Sequence, residues 1–167
     1  MVVAVFAGIA ASMALVYTLL LPSDKISRFL SSFVKKNILL IGFLLSLAAV
    51  VSSLVYSNVI GYPPCMLCWY ARILFYPQLV LFGRALYKKD LNILPYSMIL
   101  TVLGVLLTAY HSVIVITGES VLPCAASGVS CLSRDVFVFG FITIPFMGFV
   151  GFVSLLLSLL VYKKASK

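Results

Sequence analysis

The chain has 167 residues, 63% of them hydrophobic and 10% charged, with a formal net charge of +8. A soluble domain carries roughly 25% charged residues, so a water-soluble globule is excluded, and the length suits a single domain. The positive charge does not point to nucleic acid, because the basic residues cluster between apolar runs, the pattern by which membrane proteins fix their orientation.

A helix that crosses lipid needs about 20 mostly apolar residues. Five runs qualify: Val2 to Leu21, Asn37 to Tyr56, Cys68 to Tyr87, Leu91 to Ile116 and Val136 to Tyr162. Lipid offers the backbone no hydrogen-bond partners, so such runs must be helical. The expected fold is an all-α, polytopic membrane bundle. Residues 1–36 form an extra N-terminal helix and a basic loop, and residues 37–167 form a four-helix bundle. The first run competes with a reading as a cleaved signal peptide. It lacks a positive n-region and exceeds the usual h-region, which favours a retained helix. Pro77 and Pro145 are expected inside helices, where neighbouring groups can satisfy the freed carbonyls.

Lys25, Arg28, Lys35 and Lys36 follow the first run, Arg84, Lys88 and Lys89 lie at the turn from the third run to the fourth, and Lys163, Lys164 and Lys167 close the chain. A five-span zigzag with the N-terminus outside and the C-terminus inside puts all three groups in the cytoplasm. Only Arg72 and Arg134 then lie outside or near the outer face. The same zigzag sends Cys65, Cys68, Cys124 and Cys131 to the outer side, the compartment that permits disulfides. An even number of cysteines suits pairing.

The run Pro63-Pro64-Cys65-Met66-Leu67-Cys68-Trp69-Tyr70-Ala71-Arg72 carries the chemistry. A Cys-x-x-Cys at a helix start places sulfurs where unpaired N–H groups and the dipole stabilise a thiolate, the nucleophile of disulfide exchange. Arg72 follows Cys68 by four residues, about one helical turn. Its guanidinium can hold negative charge on a sulfur or on a bound ring. The bland alternative is an arginine that snorkels to the headgroups. His111, the single histidine, is expected at the same membrane level. It is either a packed core residue or a group that meets the carbonyls of a quinone ring. Spacing alone leaves redox exchange, two static bridges and a zinc site open, although the loops hold few polar groups to support a metal.

Three pieces resemble the DsbB family of membrane disulfide oxidases, especially its short-loop, BdbC-like members. They are Pro64 to Arg72, Pro123-Cys124-Ala125-Ala126-Ser127-Gly128-Val129-Ser130-Cys131, and Phe139-Gly140-Phe141-Ile142-Thr143-Ile144-Pro145. With the four-helix layout they cover about residues 38–162. The resemblance implies a thiol–disulfide oxidoreductase of the cell membrane that uses a quinone, ubiquinone or menaquinone, as cofactor. No metal is implied. A DsbA-type thioredoxin-fold partner would attack the Cys124–Cys131 disulfide at Cys124. Cys131 would then pass electrons to the Cys65–Cys68 disulfide through Cys65, and Cys68 would face the quinone with Arg72 beside it. His111 stands thirteen residues before Cys124, as a quinone-linked histidine does in some members. A quinone sink suits the energetics. Oxidising a partner at about −120 mV with ordinary disulfides below about −300 mV would run on the order of 8 kcal/mol uphill.

Residues 1–36 and the six-residue spacing between Cys124 and Cys131 depart from the family pattern. A vitamin K epoxide reductase-like protein is the enzyme alternative, but there the loop cysteines precede the Cys-x-x-Cys. A membrane scaffold with static disulfides is the non-enzymatic one.

Overall fold

Long apolar runs bounded by proline, glycine and lysine leave the backbone one way to satisfy itself, and in the computed structural model the described part of each such run is helical. Residues 2–21, 24–61, 64–118 and 143–166 are described. The helices are α1 (Val2–Leu20), α2 (Lys25–Leu54), α3 (Met66–Lys88), α4 (Leu94–Thr117) and α5 (Ile144–Ala165), and no strand occurs among the described residues. Four of them, α2 to α5, are long and apolar enough to cross a membrane. Helix α1 supplies a shorter apolar stretch, Phe6–Leu20.

Two boundaries differ from the sequence expectation. Helix α2 begins at Lys25 rather than at Asn37, so the basic stretch is itself helical. Lysine and arginine are good helix formers. The break between the polar and apolar parts is a kink at Asn37 (φ −116°, ψ 18°), not a loop. The last helix is described from Ile144, with Thr143 as N-cap and Pro145 in its first turn, not in its interior. A proline there costs no hydrogen bond, since that N–H would be unpaired anyway. The residues between Val136 and Ile142 that were expected in this helix lie outside the described ones.

Helix α2 packs on α3 and α5, and α4 packs on α3 and α5, closing a four-helix ring. Helix α1 lies outside the ring, against α5 and α2. Lipid supplies no hydrophobic force between helices, so small residues and polar contacts must hold the ring. Gly104 lets α4 approach the Phe152 ring, and Gly42 does the same for Phe82. Phe152 stacks on Phe75 with ring centroids 3.7 Å apart. Helix α1 is fastened by a Ser12–Ser154 hydroxyl pair at 2.8 Å. Lys164 donates to the Leu19 carbonyl at 2.7 Å.

The core divides into three apolar clusters along the bundle. One contains Ile38, Phe82, Leu94 and Leu155. A second contains Val50, Phe75 and Phe152. The third contains Cys65, Leu67, Ile114 and Val115. Chain direction sets the cysteine-bearing cluster at one end, while α3 runs the other way to Lys88 in its last turn and Lys89 as its C-cap.

Candidate functional site

Cys65 is the N-cap of α3, with an extended backbone (φ −71°, ψ 170°). Its sulfur accepts a hydrogen bond from the Cys68 amide at 3.4 Å. Sulfur therefore takes the place that a serine or aspartate oxygen usually fills at a helix start. The Cys-x-x-Cys spacing puts Cys68 one turn on, and the two sulfurs, in dithiol form, share a hydrogen bond at 2.9 Å. They are not equally accessible. Cys65 is buried at 5% exposure, walled by Leu67, Ile114 and Val115, whereas Cys68 is partly open.

Helix α4 brings His111 to the same point. It is buried, and its Nε2 lies 3.8 Å from the Cys65 sulfur. The sequence expectation that His111 and the Cys-x-x-Cys share a level holds. Its described neighbour is the cysteine sulfur itself. Cys65, just ahead of the span, has its thiol pushed up to about 12 by the hydrogen bond to Cys68 and then by burial, with His111 acting in the opposite sense. A helix N-terminus alone would lower it. Here the neighbouring sulfur and burial outweigh the two groups that act to lower it, His111 and the Cys68 amide.

Arg72 is buried too, at 8% exposure. Its Nε donates to the Ser53 hydroxyl at 2.8 Å and its Nη2 to the Ser53 carbonyl at 2.9 Å. The guanidinium carbon stands 5.2 Å from the centre of the Trp69 ring, within cation–π range. Arg72 does not snorkel; α2 holds it. Ser53 also receives the Ser57 hydroxyl on its carbonyl at 3.2 Å. The helix widens directly after it into a π turn, Val55–Val59. Such turns disturb the regular carbonyl pairing and often mark functional sites. Ser53 was not foreseen. Its one signal is that a buried arginine needs fixed acceptors, and Ser52 and Ser53 end the preceding span at its level.

Cys124 and Cys131 lie outside the described residues. The structure therefore unites Cys65, Cys68 and His111, places Arg72 one turn along α3, and describes nothing of the second cysteine pair.

The arrangement has counterparts among known proteins. Residues 35–162 match the family described as "Disulfide bond formation protein DsbB". The chain belongs to the DsbB family. Similar proteins include "Probable disulfide formation protein C 2" of Bacillus anthracis, 32% identical over 77% of this chain and 91% of that one. The "SPbeta prophage-derived disulfide bond formation protein B" of Bacillus subtilis (strain 168) is 38% identical over 70% of this chain and 79% of its own. "Probable disulfide formation protein" of Oceanobacillus iheyensis is 38% identical over 71% and 83%. No solved structure matches. Membership in the DsbB family makes disulfide oxidoreductase chemistry the activity of this multi-pass helical protein. Helix α1 and the first ten residues of α2 precede the matched region.

Proposed function

We propose that this DsbB-family protein reoxidises a DsbA-type thioredoxin-fold partner outside the cytoplasm and passes the electrons to a membrane quinone. The observation that carries the reading is the asymmetry of the Cys65–Cys68 pair. One sulfur is packed against α4 and keeps its proton at neutral pH. The other is open and accepts that hydrogen bond.

The relay follows from the family resemblance. The partner's thiolate attacks Cys124 of the Cys124–Cys131 disulfide, and release of the mixed disulfide leaves those two cysteines reduced. Cys131 then attacks Cys65, displacing Cys68 as the leaving thiolate, and Cys124 attacks Cys131 of that mixed disulfide, re-forming Cys124–Cys131 and releasing Cys65 as the reduced partner of Cys68. When Cys65 and Cys68 close again, the pair loses two electrons and two protons. A bound quinone, ubiquinone or menaquinone, supplies the sink for both. The residues suit such a ring. Cys68 is the accessible sulfur, Arg72 is a fixed cation one turn away, and the Trp69 and Tyr70 side chains are half exposed beside them. Arg72 steadies negative charge on Cys68 or on a ring oxygen. His111, at the Cys65 sulfur, is placed to move a proton to or from that thiol.

Sidedness follows from the charges. Helix α3 spans 23 residues from the cysteines to Lys88, about 35 Å at 1.5 Å per residue. Lys35 donates to the Ala165 carbonyl, joining the basic stretch of α2 to the C-terminal lysines. The positive-inside bias then puts this cationic end in the cytoplasm and both cysteine pairs outside. Residues 1–36 are an added helix and basic segment, and the redox bundle is residues 37–167.

The test is quinone reduction by the purified protein given a reduced DsbA-type protein. Turnover is expected in the wild type and absent in Cys68→Ser. Wild type that reduces neither ubiquinone nor menaquinone analogues in lipid would favour a scaffold with static bridges.

A further inference from the structure

The dithiol pair and His111 meet a second chemical description. The two sulfurs and a histidine ring nitrogen lie within 4.8 Å of one another, drawn from two helices. We propose that the reduced Cys65–Cys68 pair and His111 form a trap for a thiophilic divalent cation of the zinc type, which locks the pair open and withholds it from oxidation. The proposal rests on the reading that this pair cycles through a dithiol.

The donor set is right for such an ion. Two thiolates and an imidazole are a catalytic-type zinc set, with a fourth position left over. Zinc–sulfur bonds of about 2.3 Å and zinc–nitrogen bonds of about 2.0–2.1 Å put tetrahedral donors about 3.6 Å apart for sulfur and nitrogen and about 3.8 Å for two sulfurs. Cys65 Sγ and His111 Nε2 are already 3.8 Å apart. The sulfurs, at 2.9 Å, must part by about 0.9 Å to span a tetrahedral edge. As the cation binds, both thiols give up their protons, and the repulsion between the two thiolates drives that motion.

Charge also favours the complex. Two thiols release two protons and the cation replaces them, so the loaded site is neutral and no electron moves. A neutral cluster suits the apolar wall of Leu67, Ile114 and Val115 far better than a dithiolate would. Once both sulfur lone pairs are bound to the ion, the disulfide cannot re-form until the ion leaves. The family relay would stall with the pair reduced.

The experiment uses the full chain with Cys124 and Cys131 both changed to Ser, reduced with a phosphine in detergent and titrated with Co2+. One equivalent is expected to give a thiolate-to-cobalt charge-transfer band, erased by Zn2+. The oxidised protein should give no band. Cys65→Ser should abolish it, and His111→Ala should weaken Co2+ binding at least tenfold with helical content unchanged by circular dichroism. Binding that is equal in oxidised and reduced protein overturns the proposal, and so does full affinity in the His111→Ala variant. Quinone turnover is measured separately on the unsubstituted chain without added metal. Turnover without metal uptake defeats this proposal alone, and metal uptake without turnover defeats only the quinone relay.

Discussion

Arg72 of α3 is held by Ser53 of α2 through two hydrogen bonds, one to the hydroxyl and one to the carbonyl. The planar guanidinium is thereby aimed, since its fork fixes two directions at once. A hydrogen bond to a charged group contributes about 1.5–3 kcal/mol, and each 1.4 kcal/mol is about a factor of ten.

Ser53→Ala removes the hydroxyl acceptor and leaves the carbonyl. In the proposed quinone reduction the apparent KM should rise about tenfold, with kcat little changed. Trp69 is the single tryptophan, so a released Arg72 should also shift its fluorescence. Arg72→Lys should lose more, because an ammonium cannot fork. An unchanged KM together with an unchanged Trp69 emission would remove Ser53 from the site.

Alkylation of the reduced pair should be one-sided. The Cys65 thiol is raised to about 12, so it stays protonated and unreactive below that pH, and iodoacetamide near pH 8 should label Cys68 first. The largest raising cause is the hydrogen bond to Cys68. Cys68→Ala should therefore lower the Cys65 value and speed its labelling. His111 acts to lower it, so His111→Ala should slow that labelling. Peptide mass spectrometry reads both effects, and preferential labelling of Cys65 in the wild type would contradict the assignment.

Close approach at Gly104 should show in stability. Any Cβ there runs into the Phe152 ring. Overpacking of this kind costs about 1–3 kcal/mol, so Gly104→Ala should lower the melting temperature in detergent, with partial recovery in a Phe152→Leu background. Gly148→Ala is the control, since its Cβ would meet Thr108 at an ordinary 3.5 Å.

Helix α1 should remain on the mature protein. It is fastened to α5 through Ser12 and Ser154 and by Lys164. The intact mass of protein extracted from membranes should include residues 2–21. A mass that begins after Leu21 would establish the signal-peptide reading instead.

The spans and the shared level of Cys65, Cys68 and His111 were legible because hydropathy and charge placement are one-dimensional signals, and depth in a membrane is one-dimensional too. The start of α2 was not legible. A search for apolar runs stops at Lys35 and Lys36, while the backbone continues helical through them with only a kink at Asn37. The partner of Arg72 was hidden for another reason. Which face of α2 turns toward α3 depends on the packing of the ring, and a serine among serines carries no mark of being chosen. Pro145 was misplaced because a proline near an apolar run looks the same inside a helix and at its first turn.

Helices are usually capped by atoms with no other employment. The first turn of α3 is closed by the Cys65 sulfur, the same atom that is proposed to exchange bonding partners. A thiol sulfur and a disulfide sulfur do not accept the Cys68 N–H equally, because the bond to a second sulfur redirects the lone pairs. The end of α3 should then loosen and tighten with every electron pair that passes. The amide of Cys68 becomes a native gauge of the redox state, readable as faster or slower hydrogen exchange with no label attached.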